Sequence, residues 1–412
     1  MSLCRYLPTP SDRMAVMWSL LTVGDAVVLE YGPAGTTHYS MGLFGAMGIS
    51  PNQALFTTHM SEDDVVMGDV TRLEEAILEL DRNYAPKVIF VIASAITSVI
   101  GTDLKGVCHY MQEKVKARLV AMENGGFKGD YTVGLREVQR MLVQELSGCG
   151  EGPSANTYNV LGASAGAYRI HSDLWELQDL MSRAFGFSCG AVPGVKASVD
   201  QLAAMGGARL NLVLRAEGLE AARWLKERYG TPYVYGAPYG YGGTEKWLKA
   251  VGEALGASVA PEVTSQLQEK KKEAMTFRMY ASMYRNKPHP PAAAIVGNYD
   301  TVVGLAGLCR ELDITPDLLI CAHTLKDIEE PAEGVVHFER ERDTIDALRR
   351  LRSHLVMADD VSLHLCDETN VGVCVSFPLV SHTQIANHLP LMGIRGTDFL
   401  LETVDRYYQN LD

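Results

Sequence analysis

Short apolar runs alternate along this chain with stretches of helical periodicity, the pattern of βαβ units and parallel sheets. "SDRMAVMWSLLTV" (11–23) opens on a Ser or Asp N-cap and predicts a helix. An apolar strand at 27–31 follows and runs into the glycine-rich turn "GPAG", after which Thr36, Thr37 and His38 stand where a strand has just ended. The second half of 61–84 reads as a helix, "KVIFVIAS" (87–94) as a strand, and 102–124 as a helix capped by Thr102 or Asp103. A second unit begins near residue 155: strand 157–163, helix, strand 210–215, helix, then strand, glycine-rich turn and helix over 231–256. After the proline-rich break "RNKPHPP" (285–291), "AAAIVGNYDTVVGLAGLCRELDITPDLLICAH" reads strand, turn, helix, strand. "VSLHLC" (361–366) and "VGVCVSFP" (371–378) predict further short strands, and the tail predicts a terminal helix.

The expected fold is therefore α/β: three Rossmann-like domains with parallel sheets around a central cleft. The boundaries fall at 1–154, 155–287 and 288–380, with 381–412 as a helical segment packing back on the core. Turns at 32–38, 95–102, 162–168, 236–243 and 297–301 would lie at the carboxyl ends of strands, the ligand-binding edge of open α/β sheets.

Composition narrows the picture. Hydrophobic residues make up 47% of the 412 and charged residues 21%, as in ordinary globular chains. The net charge of −13 argues against a nucleic-acid partner, which needs a basic face. Lysines and arginines within 269–287 read as a solvated helix face. No apolar run reaches the roughly 18–20 residues of a membrane span, and no secretory signal opens the chain, so a cytoplasmic protein is expected. The eight cysteines form no CxxC pair, and most sit in apolar contexts where the thiol packs as core. Cys4 stands apart in a polar, proline-rich approach.

Known chemical motifs are sparse. No glycine turn is followed by Gly-Lys-Ser/Thr, and "GASAGAYR" (162–169) has the wrong spacing for a dinucleotide fingerprint, so no nucleotide is expected on this chain itself. His364 and Cys366 would share one face of a strand, a pattern more common in packing than in metal binding. Without HExxH or a GxSxG elbow, hydrolase chemistry has no foothold.

The order of segments is more specific than any one of them. The "GPAG" turn, "SEDDVVMGDVTRLEEAI", "IASAITSVIGTDL", "LNLVLRAEGLEAARWLKERYGTPYV", "PYGYGGTEKWL" and "SFPLVSHTQIANHLPLMGIRGTDFLLE" together resemble the nitrogenase component 1 superfamily over nearly the whole chain. The resemblance implies three Rossmann-like domains and an assembly with itself as a homodimer or with a paralogous subunit as α2β2. It also implies an ATP-hydrolysing iron-sulfur reductase as electron donor, and reduction of an unsaturated or tetrapyrrole-like substrate. In that family a cluster, for which the resemblance implies [4Fe-4S] here, sits at the subunit interface on three cysteines per chain. The matching positions are Thr36, Ala95, and Ser11 beside Asp12, so all three thiols are missing. Cys4, Ser11 and Asp12 remain as metal-ligand candidates. Gly35, Thr36, Thr37, His38, Ser98 and Arg215 are the expected cleft residues, with Arg215 near the position of the family's cofactor cysteine and Val375 or Ser376 near that of its histidine. His382 and His388 are candidate proton donors. The alternative is a non-catalytic partner subunit or cofactor-assembly scaffold without its own cluster.

Overall fold

The computed structural model describes residues 3–6, 9–46, 54–148, 156–376 and 389–411. Three parallel sheets carry the chain. The first runs in the order Leu55–Thr57, Ala26–Tyr31, Val88–Ala93, Arg118–Met122. The second is Tyr233–Tyr235, Leu210–Val213, Thr157–Leu161, Ser188–Cys189. The third is Val335–Val336, Thr315–Cys321, Ala292–Gly297, Leu355–Ala358, Val371–Cys374. Every residue of Val88–Ala93 and Ala292–Gly297 is buried, because helices cover both faces of each sheet and leave no side for polar residues. The α/β architecture with parallel sheets is as expected.

The differences have local causes. The helix expected over 102–124 stops at Met111, and Arg118–Met122 is instead the edge strand of the first sheet, in register with Val88–Ile92. The carboxylate of Asp81 accepts the amides of Lys116 and Ala117 at 3.0 and 2.8 Å, which turns the chain before it can continue as helix. "VSLHLC" is not a strand but the helix Asp360–Leu365, because Asp359 caps it by accepting from Ser362 N at 2.9 Å and Ser362 Oγ at 2.7 Å. His364 and Cys366 therefore share no strand face. The strand of that region is Leu355–Ala358, just upstream.

Two apolar cores join the three units. One packs the first unit (Val16, Trp18, Phe90, Leu135, Val138) against the second (Leu161, Val213, Ala221, Leu225). The other runs through the second and third units and takes in Leu400, Val404 and Tyr407 of the C-terminal helix Gly393–Gln409. Glu176, fully buried, accepts the amides of Ile394 and Arg395 at the start of that helix. Two residues pair Val23–Gly24 with Ala197–Ser198 and tie the first unit to the second.

Candidate functional site

The "GPAG" turn sits at the end of strand Ala26–Tyr31 and opens the helix Ala34–Ala46. Glu30, fully buried near the strand's end, organises it. Arg13, from the helix Asp12–Leu20, donates Nη2 to Glu30 Oε1, and Thr37 donates its hydroxyl to Oε2. Thr36 turns inward too, donating to Pro33 O at 3.0 Å with Glu30 Oε1 at 3.5 Å. Gly35 and His38 are exposed.

Ser11, Asp12 and Ser98 meet at a different loop, residues 123–126. Asp12 Oδ2 accepts from Asn124 Nδ2 at 3.1 Å, and Ser98 Oγ lies 3.5 Å from Glu123 O. A Cβ added at Gly125 would stand 2.1 Å from Ser98 Oγ, and one at Gly126 3.4 Å from Ser11 Oγ. Ala95 opens the short helix Ala95–Ile100, whose N-cap Ser94 accepts from Thr97 N at 3.2 Å. Cys4 lies against the third unit: its thiol donates to Glu341 Oε1 at 3.2 Å, and the same carboxylate accepts the amides of Arg5 and Tyr6. Among the described residues no group of three His, Cys, Asp or Glu side chains is arranged to hold a metal ion. Thr36 and Ala95 bring no thiol, and the oxygens around Glu30 are engaged with one another. The first unit's residues do not fit a cluster held by three cysteines.

The second candidate region is a cleft where all three units meet. Trp18 and Tyr131 of the first unit, Ser164, Arg215 and Glu217 of the second, and Asn298 and Ser376 of the third all line it. Arg215 and Glu217 follow directly on the strand Leu210–Val213. The turn is tight: Gly162 has φ +73°, and a Cβ there would stand 2.6 Å from Arg215 N. No larger side chain fits without moving the segment that carries Arg215.

Hydrogen bonds hold part of the lining and the side chains that flank it. Trp18 Nε1 donates to Ser164 Oγ at 2.9 Å, and Asn298 Nδ2 to Glu217 Oε1 at 2.8 Å. His323 Nε2 accepts from Tyr299 N at 3.1 Å and Nδ1 faces Thr324 O at 2.9 Å, the pattern of a neutral ring protonated at Nδ1. Asp300 accepts from Tyr235 Oη at 2.6 Å and Ala216 N at 2.9 Å. Burial, then the charge of Glu217, pushes the Asp300 carboxyl up to about 6. Burial likewise lifts Asp173 to about 7, against the amides of Leu391 and Met392 that it accepts. Burial works against the Arg215 cation, but Tyr239, Glu217, Tyr131 and Asp173 outweigh it and hold the guanidinium above its ordinary value.

Of the expected cleft residues, Arg215 alone lines this cleft; Thr36 and Thr37 gather at Glu30, and Ser98 at the 123–126 loop. Val375 and Ser376 line it as well. His382 and His388 lie outside the described residues. The expected strand-end turns at 162–168 and 297–301 contribute Ser164 and Asn298 to the lining, whereas sequence reasoning passed over Glu217 and the flanking His323. Glu217 had a usable signal, since it is a polar residue two places beyond Arg215 at the end of an apolar strand.

The parallel α/β architecture agrees with the comparisons to known proteins. The family model described as nitrogenase component 1 type oxidoreductase matches residues 11–408, and the chain belongs to that family. It is 29% identical over 243 residues to the nitrogenase iron-molybdenum cofactor biosynthesis protein NifE of a Nostoc species, covering 58% of this chain and 50% of that protein. NifE of Clostridium pasteurianum is 26% identical over 318 residues, covering 76% of this chain and 68% of the relative. The chain thus spans about half of the Nostoc relative it matches and about two thirds of the clostridial one. A solved structure of nitrogenase Cp1 at pH 6.5 superposes with a TM-score of 0.82 at 17% identity, covering 100% of this chain and 94% of that one. Among the described residues, no helix is long and apolar enough to cross a membrane.

Proposed function

We propose that this chain is a cluster-less subunit of a nitrogenase-like complex, serving as a scaffold that holds a ligand in the three-unit cleft while a partner chain supplies thiolate-bound iron. The observation that carries this reading is the Glu30 centre. Where the family resemblance calls for a cysteine after "GPAG", Thr36 and Thr37 turn toward a carboxylate already joined to Arg13. The similarity to proteins of iron-molybdenum cofactor biosynthesis supports a scaffold over a stand-alone catalyst. The partner is a second copy or a paralogous subunit, in the cytoplasm.

A second reading keeps the chain as the substrate-bearing subunit of an ATP-dependent reductase, with single electrons delivered by an iron-sulfur reductase to an unsaturated or tetrapyrrole-like substrate. It is favoured by Asp300 beside the cleft, a buried carboxyl held by Tyr235 Oη and Ala216 N and pushed up by burial to about 6. Iron and acid-labile sulfide on protein purified anaerobically and alone separate the two readings. The scaffold reading expects no stoichiometric iron in the isolated chain, with iron appearing only in complex with a cysteine-bearing partner. A full [4Fe–4S] complement with a dithionite-reduced paramagnetic signal in the isolated chain would overturn it.

A further inference from the structure

A second cavity, of about 430 Å³, opens at the carboxyl edge of the third sheet and falls within the size range of small-molecule sites. That sheet places its first strand, Ala292–Gly297, between its second, Thr315–Cys321, and its fourth, Leu355–Ala358, so strand order reverses there. Ligands of open α/β sheets bind in the crevice at such a reversal. Val296 of the first strand, Ile320 of the second and Phe338, which follows the third, give the cavity apolar surface. Among the described residues its lining includes the carboxylates of Asp130, Glu339, Glu341 and Asp359 but no lysine or arginine. Such a lining repels an anion and attracts a cation.

Some of the lining acceptors are committed to the fold and others are not. Asp130 holds the amides of Thr132 and Thr324, Asp359 caps its helix, and Glu341 takes the amides of Arg5 and Tyr6. Glu339 makes no hydrogen bond or ion pair among the described residues. Thr344, on helix Glu341–Arg350, is 9% exposed. Its hydroxyl has no partner among the described residues, not even the carbonyl one turn back that a helical threonine commonly takes. His337 Nδ1 donates to Cys321 O at 3.0 Å, which leaves Nε2 of the neutral ring as a lone pair facing no donor among the described residues. A buried hydroxyl without a partner carries a desolvation cost that a ligand would remove. We infer that this cavity binds a primary amine, as the ammonium, carried on a flat apolar body. The three N–H donors of an ammonium match the Glu339 carboxylate, the Thr344 hydroxyl and His337 Nε2, and the body lies against Val296, Ile320 and Phe338. The inference goes beyond the scaffold reading and uses none of the residues that carry it.

Calorimetric titration of the full chain with tryptamine and indole-3-propionate tests this, since the two carry an ammonium or a carboxylate at the same place on one body. Tryptamine is expected to bind about tenfold more tightly or better, the scale of one charge-assisted contact. Glu339→Gln, at an exposed position, should erase most of that preference. Thr344→Val, which keeps the shape of the side chain and removes its hydroxyl, should weaken tryptamine severalfold. Circular dichroism checks that each variant folds, and Glu339→Gln carries the test should Thr344→Val not fold. Equal affinities, tighter binding of indole-3-propionate, no binding of either probe, or a preference indifferent to Glu339 would overturn the ligand class. The iron content of the isolated chain, which decides the scaffold reading, does not enter this measurement, so the two fail separately.

Discussion

At the residue scale, the Glu30 centre shows how one carboxylate reshapes a turn. Its two oxygens take the Arg13 guanidinium and the Thr37 hydroxyl, with Thr36 at the side. Removing one member of a buried ion pair strands the other charge, so Glu30→Ala or Arg13→Ala should each cost about 3–5 kcal/mol. Replacing both, as Arg13→Met with Glu30→Leu, should cost clearly less than the two single changes added together. Urea unfolding of the three variants measures this, and strictly additive losses would show that the pair is not coupled. The sequence displayed the oddity, a lone glutamate in an apolar strand, but gave no hint of its partner. Arg13 lies 17 positions away on a helix, and only the packing of helix Asp12–Leu20 over the sheet brings it in.

At the element scale, Asp173 and Glu176 of helix Ile170–Phe185 hold the approach to the C-terminal helix through the amides of Leu391, Met392, Ile394 and Arg395. Burial raises the Asp173 pKa from an unfolded value of about 3.9 to about 7 in the folded chain. A raised carboxyl binds its proton more tightly when folded. Its contribution to stability is therefore complete below about pH 4 and is lost as pH rises through about 7. Denaturation midpoints should fall between pH 5 and pH 8, and Asp173→Asn, which keeps an acceptor without the charge, should flatten that slope. An unchanged slope would remove Asp173 as its source. Element type was legible wherever periodicity was long, as in the terminal helix Gly393–Gln409 and strand Val88–Ala93. It failed at short segments. Arg118–Met122 and Asp360–Leu365 were misread because a side chain, Asp81 or Asp359, decides where a few residues turn, and such local hydrogen bonds outweigh a weak pattern.

At the scale of the whole molecule, no sheet stands alone. The inner face of the first sheet and helix Tyr131–Leu146 share a core with Leu161, Val213 and Leu225 of the second unit. The outer face packs only locally, around Leu29, Leu73, Ile77 and Ile89. A fragment ending at residue 154 should keep helical and strand content by circular dichroism yet aggregate on gel filtration, because its inner apolar face is left uncovered. A monodisperse fragment with native-like unfolding would show that the boundary there is a true domain limit. The linear chain by itself determined the alternation of strands and helices, the parallel sheets and the family, since these depend on near neighbours and on the order of segments. Only the tertiary structure decided that Thr36 and Thr37 serve Glu30, that Ser11, Asp12 and Ser98 gather elsewhere, and that Arg215 shares a cleft with Trp18, Glu217 and Asn298. Those juxtapositions are made by helices laid across sheets from distant parts of the chain, and no local pattern of polar and apolar residues encodes them.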